Sequence, residues 1–256
     1  MSFRVVIPAR YASTRLPGKP LRLIAGQPMI QHVHARALAS GAAEVIVATD
    51  DERIAAACRA FGADVAMTDP SHPTGTDRLA EVARQRRFAD EDIVVNVQGD
   101  EPLLPSENVS QVAALLAQSP AASIATLATP IVSVDEYEDP NVVKVVCDRA
   151  GLALYFSRAM IPWPRDAAVA GRRDAALIDG ARRHIGLYAY RARALAGLAR
   201  LEPSPLEIAE RLEQLRALEN GLRIVVATAA ATPGPGVDTE AQLQQVEQLL
   251  SKPAAR

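Results

Sequence analysis

The sequence predicts an α/β protein built on a mainly parallel sheet with helices on both faces. Two observations carry this. Over roughly the first 120 residues, short apolar runs at 4–7, 44–48, 64–67 and 93–97 alternate with amphipathic stretches of helical period. Beyond that point the alternation lapses. Residues 123–128, 142–147 and 152–156 read as strands with no full helix between them, so a smaller mixed-β region follows. Right-handed crossovers in such a sheet bring the loops after successive strands to one edge, where ligands bind.

In chain order, the run at 4–7 feeds a long loop. Gly26-Gln27-Pro28 precedes Met29, Ile30, Val33 and Ala37, a helical face that opens at a proline and stops at Gly41. After the β-branched run 44–48, Thr49-Asp50-Asp51-Glu52 offers a capping box for a helix carrying Ile54, Cys58 and Phe61. Residues 76–88 predict a helix with Leu79, Val82 and Ala83 inward, and Val109, Val112 and Leu116 mark the next. Asp148-Arg149-Ala150-Gly151 reads as a hairpin turn, and 162–183 as a polar, irregular, mobile excursion. A strand over 184–190 follows, then helices over 191–198 and 206–219, the latter with Ile208, Leu212 and Leu215 on one face. A late strand spans 223–227. Thr239-Glu240-Ala241-Gln242 is a second capping box, ahead of Leu243, Val246 and Leu250. With no repeat and no long linker, 1–250 is expected to be one domain, changing pattern near residue 120, with a tail at 251–256.

Composition narrows the class. A chain of 256 residues, 49 % hydrophobic, can bury a sizeable core. Its formal net charge of −2 argues against a nucleic-acid partner. Arg84-Gln85-Arg86-Arg87 and Arg172-Arg173 read as solvated faces. Cys58 and Cys147 lack metal-ligand spacing and read as buried free thiols of a reducing compartment. No apolar run reaches signal-peptide or membrane-span length, so the expectation is a cytoplasmic enzyme or binding protein with no membrane insertion.

The chemistry gathers in loops. Arg10, Arg15 and Lys19 follow the first strand, and forks and point charges of this kind suit a polyphosphate. Neither a P-loop nor a G-x-G-x-x-G motif occurs, which argues against a P-loop ATPase and a dinucleotide enzyme. Asp100 stands just past the 93–97 strand, where a carboxylate could hold magnesium together with phosphate oxygens, or cap the helix after Pro105. Asp238 poses the same choice. His72-Pro73-Thr74-Gly75-Thr76-Asp77-Arg78 opens a helix; its backbone could read a base or ribose, or Thr74 or Thr76 could serve only as a cap. His184 and Tyr188 share a strand face and, with Arg158, would suit an acidic polyhydroxyl substrate or a structural role. Glu213 and Gln214 read as solvent-facing.

At these residues the chain resembles the 3-deoxy-manno-octulosonate (Kdo) cytidylyltransferase family. The resemblance is carried, in collinear order, by residues 7–21 (Ile7-Pro8-Ala9-Arg10 through Gly18-Lys19-Pro20-Leu21), Gly75-Thr76-Asp77-Arg78-Leu79-Ala80-Glu81, Val95-Asn96-Val97-Gln98-Gly99-Asp100-Glu101-Pro102, Tyr155-Phe156-Ser157-Arg158, Ile161-Pro162-Trp163, His184-Ile185-Gly186-Leu187-Tyr188, Leu212-Glu213-Gln214-Leu215-Arg216 and Gly236-Val237-Asp238-Thr239. It implies the nucleotide-diphospho-sugar transferase fold, a homodimer contacting through the middle region, and conversion of CTP and Kdo to CMP-Kdo and diphosphate with Mg2+, for lipopolysaccharide synthesis. It implies that Arg10 and Lys19 hold the triphosphate, with Arg15 serving the loop or a distal phosphate. Thr74, Gly75, Thr76 and Arg78, with Ala9 and Gln98, would hold cytidine. Asp100 and Asp238 would bind magnesium and, with Arg10 and Lys19, form the catalytic set. Arg158, His184, Tyr188, Glu213 and Gln214 would hold the sugar acid. No residue stands out as a dedicated general base. Residues 166–181 match no motif. The alternatives are a related nucleotidyltransferase acting on sialic acid or a sugar 1-phosphate, and a non-catalytic nucleotide-sugar binding protein.

Overall fold

The computed structural model describes residues 2–12 and 15–251; Ser13 and Thr14 of the cationic loop and 252–256 of the tail lie outside the described residues. In chain order the elements are β1 (Arg4–Ala9), a single 3-10 turn (Lys19–Leu21), the ribbon β2 (Leu23–Ile24) and β3 (Gln27–Pro28), α1 (Met29–Ala39), β4 (Glu44–Thr49), α2 (Glu52–Ala60), β5 (Asp64–Met67), α3 (Gly75–Gln85), β6 (Ile93–Asn96) and α4 (Ser106–Ala117). The second half adds β7 (Ile124–Pro130), α5 (Val134–Glu138), β8 (Lys144–Cys147), β9 (Ala153–Ser157), α6 (Arg165–Val169), α7 (Ala175–Ile178), β10 (Arg182–Arg191), α8 (Ala192–Leu198), α9 (Pro205–Glu210), α10 (Gln214–Glu219), β11 (Ile224–Thr228) and α11 (Glu240–Ser251).

The main path of the sheet runs β11-β7-β10-β6-β1-β4-β5. Strand β1 is parallel to β4 and β6, β4 to β5, and β11 to β7, whereas β10 runs antiparallel between β6 and β7. The β8–β9 hairpin joins this sheet through β10. Because both faces are covered, β1 is apolar from Val5 onward, and its side chains alternate between two cores. Val5 and Ile7 pack with Ile30, Val33, Val109 and Val112. Val6 packs with Leu79, Val82, Leu195 and Leu215. This is the period of two expected of a pleated strand buried on both sides.

Four sequence readings change. The capping box at 49–52 does not form: Thr49 is still paired with Met67 in the sheet, and the Asp51 carboxylate caps α2 by accepting from the Arg53 amide at 2.9 Å. The helix predicted over 206–219 is two helices. Arg211 takes the left-handed conformation at φ 54° between α9 and α10, so Ile208 is 54 % exposed and shares no buried face with Leu212 and Leu215. The stretch 162–183 is not irregular throughout. It forms α6 and α7, whose Ala167 and Leu177 pack with Ala181, Ile131 and Tyr137 in a small core. Ser251, read as tail, ends α11.

Lys144 is fully buried, and its Nζ donates to the carbonyls of Asp139, Val142 and Arg158 at 2.9, 2.7 and 2.7 Å. Removing the ammonium orphans three acceptors together. Lys144→Met is therefore expected to lower stability by about 3 kcal/mol, a fall in Tm of roughly 6–12 °C for a chain of this size. An unchanged melting curve would show that these carbonyls find other donors.

Candidate functional site

Parallel pairing places the carboxyl ends of β1, β4, β5 and β6 along one edge, and the loops that follow them form a cleft of about 540 Å³. Close backbone approach makes it narrow. A side-chain Cβ at Gly99 would lie 2.8 Å from the Pro8 carbonyl oxygen, so glycine lets the loop after β6 lie directly on the loop after β1. The Val237 amide donates to the Asp100 carbonyl at 2.9 Å, which draws the segment before α11 to the same place. A Cβ at Gly236 would lie 2.8 Å from the Glu101 carboxylate, so a larger residue there would push that side chain aside.

Three residues far apart in sequence thereby converge. Gly18, at φ 64°, leads into the 3-10 turn that starts at Lys19. Lys19 Nζ donates to Asp100 Oδ2 at 2.6 Å and to Asp238 Oδ1 at 2.9 Å, and Arg15 reaches Asp238 Oδ1 at 3.0 Å. Neither aspartate is a helix cap. Helix α4 has no side-chain cap, and Thr239 exchanges capping hydrogen bonds with Gln242 at the start of α11. Burial pulls the Lys19 ammonium's pKa down, but the charges of Asp100 and Asp238 and the bonds to them outweigh it, and the net displacement is upward. Burial likewise pushes the Asp238 carboxyl up, and the contacts to Lys19 and Arg15 bring it below the ordinary value. Glu101, the next residue along, is pushed up to about 7, chiefly by burial and then by Asp100. Two part-exposed carboxylates aimed at one point make a donor set of hard oxygens. A divalent cation of the magnesium type takes one or two such carboxylates and completes its shell with phosphate oxygens and water, so these residues fit one.

The other end of the cleft is lined by Ala9, His72, Pro73, Thr74, Gly75, Arg78 and Gln98, and Arg10 lines it from the exposed side. Thr74 caps α3 in a reciprocal box with Asp77, so its predicted capping role is real, while its hydroxyl also lies 3.1 Å from Glu213 Oε1. Thr76, from the predicted nucleotide set, does not line this cleft. It is buried, and it lines a separate narrow slot with Tyr190 and Glu213. Pro8 lines the cleft too, as do His72 and Pro73 of the turn-rich loop. The turn-rich character of 72–75 was the available signal. A wider groove of about 940 Å³ lies beyond residues 72–74 against α8 and α9, and it contains neither aspartate.

The predicted sugar set is brought together only in part. A register shift in β10 between Ile185 and Tyr188 is held by the Thr126 hydroxyl against the Ile185 and Leu187 carbonyls. His184 and Tyr188 stay on one face, ring centroids 5.2 Å apart, and His184 Nε2 lies 3.0 Å from Thr126 Oγ1. Tyr188, Glu213 and Gln214 line one narrow slot with Thr76. Glu213 is thus not solvent-facing, and burial pushes its carboxyl upward. The break at Arg211 is what turns it inward. His184 lines a separate small pocket that shares Gln98 with the main cleft. Arg158 lines neither. Its Nε donates to the Glu210 carbonyl at 2.7 Å and its Nη1 to the Pro140 carbonyl at 2.9 Å, so main-chain acceptors hold the guanidinium.

Burial pushes the His184 imidazole down to about 3 from an ordinary 6.5. The unfolded chain therefore binds more protons between those values, and stability must fall as pH drops below 6.5. His184→Gln is expected to remove roughly 1 kcal/mol per pH unit of that slope, read from urea unfolding at pH 6, 5 and 4. Equal slopes in both proteins would contradict the burial.

Known proteins share both chain and architecture. A cytidylyltransferase family model matches residues 4–224. A protein of Thioalkalivibrio sulfidiphilus named 3-deoxy-manno-octulosonate cytidylyltransferase is 56 % identical over 252 residues, covering 98 % of this chain and 99 % of its own. One of the same name from Halorhodospira halophila is 56 % identical over 249 residues, 97 % of each chain. A solved structure of CMP:2-keto-3-deoxy-manno-octonic acid synthetase complexed with CTP matches with TM-score 0.88 at 45 % identity, over 98 % of this chain and 99 % of that one. The fold is therefore the expected nucleotide-diphospho-sugar transferase fold. Taken with the convergence of Lys19, Asp100 and Asp238, the match over 4–224 and the full-length identities show that the chain belongs to the cytidylyltransferase family.

Proposed function

We propose that this chain is a cytidylyltransferase that activates 3-deoxy-D-manno-octulosonate: CTP and Kdo give CMP-Kdo and diphosphate. The observation that carries it is the meeting of Lys19 with Asp100 and Asp238 at one end of a nucleotide-sized cleft. The two relatives are named for cytidylyl transfer and for 3-deoxy-manno-octulosonate, and the solved neighbour is complexed with CTP. The anomeric hydroxyl of the sugar attacks the α-phosphorus in line; the new C–O–P bond forms as the bond to the β-phosphate oxygen breaks, and diphosphate leaves. Arg10 and Lys19 place the triphosphate and balance its charge, Thr74, Gly75 and Arg78 with Ala9 and Gln98 hold the nucleoside, and His184, Tyr188, Glu213, Gln214 and Arg158 hold the sugar acid. Positioning and neutralisation carry the rate, as in other phosphoryl transfers. Asp100 and Asp238 would hold Mg2+, which when bound supplies Lewis acidity toward the α-phosphate and the attacking hydroxyl.

The proposal extends to setting. The product would feed lipopolysaccharide synthesis from the cytoplasm, for which the free thiols Cys58 and Cys147 are suited. A homodimer through the 121–236 region is supported by Val132, Trp163 and Val169, whose side chains are exposed. Light scattering of the purified chain tests it, and a mass of one chain at micromolar concentration would reject it. No described helix is long and apolar enough to cross a membrane.

The test of the reaction is diphosphate release with CTP, UTP, GTP and ATP, each offered Kdo, a sialic acid or a sugar 1-phosphate, with and without Mg2+. Turnover is expected only with CTP and Kdo, and only with the cation. Turnover with a different pair, or undiminished turnover in excess chelator, would overturn the substrate or the metal assignment respectively.

A further inference from the structure

Asp50 and Thr68 are the first residues past β4 and β5, and the Thr68 amide extends that ladder to the Thr49 carbonyl at 2.9 Å. The two side chains therefore stand beside each other at the ligand edge of the sheet. Arg78, in the first turn of α3, lays its guanidinium between them. Its Nη1 donates to Thr68 Oγ1 at 2.7 Å and its Nη2 to Asp50 Oδ2 at 2.9 Å. Arg78 is 3 % exposed and Thr68 7 %, yet Arg78 also lines the cleft.

Three features separate this from a simple packing clamp. A guanidinium carries five N–H donors in one plane. Two are spent on Asp50 and Thr68, and the others remain for a partner on the cleft side. The Asp50 carboxylate is used on one side only: Oδ1 is buried with no hydrogen-bond partner among the described residues. Buried structural carboxylates are ordinarily satisfied on both oxygens, so Asp50 is committed to Arg78. Finally, Asp50 balances the charge of Arg78. The Asp50–Arg78 pair is thus nearly neutral, and it suits an uncharged base better than a phosphate.

We infer that Asp50 and Thr68 are positioning residues that fix the plane of the Arg78 guanidinium against the base, and so set the choice of cytosine over uracil; this rests on the cytidylyltransferase reading above. Cytosine presents N3 and O2 as acceptors, whereas uracil presents an N3–H donor. A donor fork held at two points cannot turn to accommodate that donor, and a site built to donate to an acceptor rejects the analogue lacking it.

The experiment measures kcat and KM for CTP and UTP, with Kdo as acceptor, in the wild type, Thr68→Val, Thr68→Ser and Asp50→Asn. Thr68→Val and Asp50→Asn are expected to lose on the order of tenfold in the CTP-to-UTP ratio of kcat/KM, through a raised KM for CTP. Their kcat at saturating CTP and their KM for Kdo are expected to stay within about twofold of wild type, and Thr68→Ser is expected to restore the ratio. An unchanged ratio and CTP KM in folded Thr68→Val and Asp50→Asn would overturn the inference. So would equal losses in the CTP and Kdo parameters, or a Thr68→Val protein that does not fold where Thr68→Ser does; either would assign the pair to structure. A wild type that makes no CMP-sugar would instead overturn the functional reading, which keeps the two failures distinct.

Discussion

Asp100→Asn is expected to lower kcat on the order of 10²–10³-fold while CTP still binds within a few-fold of the wild-type affinity. The substitution keeps the size of the side chain and removes one negative charge from a cluster of two carboxylates and one ammonium. The nucleoside end of the cleft is untouched, so ground-state binding of CTP should largely persist. What is lost is a hard anionic donor at the point where charge develops. That pattern, kcat falling with little change in CTP affinity, marks an interaction made mainly in the transition state. Steady-state kinetics together with calorimetric CTP binding separate the two. Near-normal turnover would remove Asp100 from the metal site.

Lys19→Ala is expected to raise KM for CTP about tenfold and to lower kcat by a similar factor or more. The structure sharpens why both should move. Lys19 is a phosphate-loop cation by sequence, yet its Nζ lies within 3 Å of the two aspartates. Deleting it removes a cation from the triphosphate and also leaves Asp100 without its ammonium and Asp238 with Arg15 alone, beside the path the triphosphate must take. Both effects oppose CTP binding. An unchanged CTP profile would confine Lys19 to holding the aspartates.

Much of this site was legible because strands and their exit loops carry strong local signals. The runs ending near Ala9, Thr49 and Asn96 are rich in β-branched residues, so the ligand edge and its loops followed from topology. The pairing of Asp100 with Asp238 is another matter. They are distant in sequence, each is compatible with a helix cap, and only the resemblance joined them before the Val237-to-Asp100 hydrogen bond showed why they meet. The break at Arg211 was invisible because arginine carries no preference for a left-handed conformation, and the continuous apolar spacing of Ile208, Leu212 and Leu215 imitated one helix. That break is also why Glu213, read as solvent-facing, is half-buried in a slot with Tyr188. Arg158 shows what a local pattern leaves out: a cation beside a strand reads as a ligand for an acid, and nothing in that pattern announces the Glu210 and Pro140 carbonyls that accept from it. The Asp50–Arg78–Thr68 clamp joins three elements by side chains alone, and no local pattern announces such a contact.

The measurement that bears most directly on cytidylyl transfer at this cluster is a 31P NMR time course of the purified chain with CTP, Kdo and Mg2+. The expected result is loss of the CTP resonances with one phosphodiester and one diphosphate appearing in equal amounts, at a rate that collapses in Asp100→Asn. Formation of CDP and inorganic phosphate would place the cleavage at the γ-phosphorus and contradict the assignment of the α-phosphate as the reacting centre, as would an unaltered rate in the Asp100→Asn chain for the role given to the two aspartates.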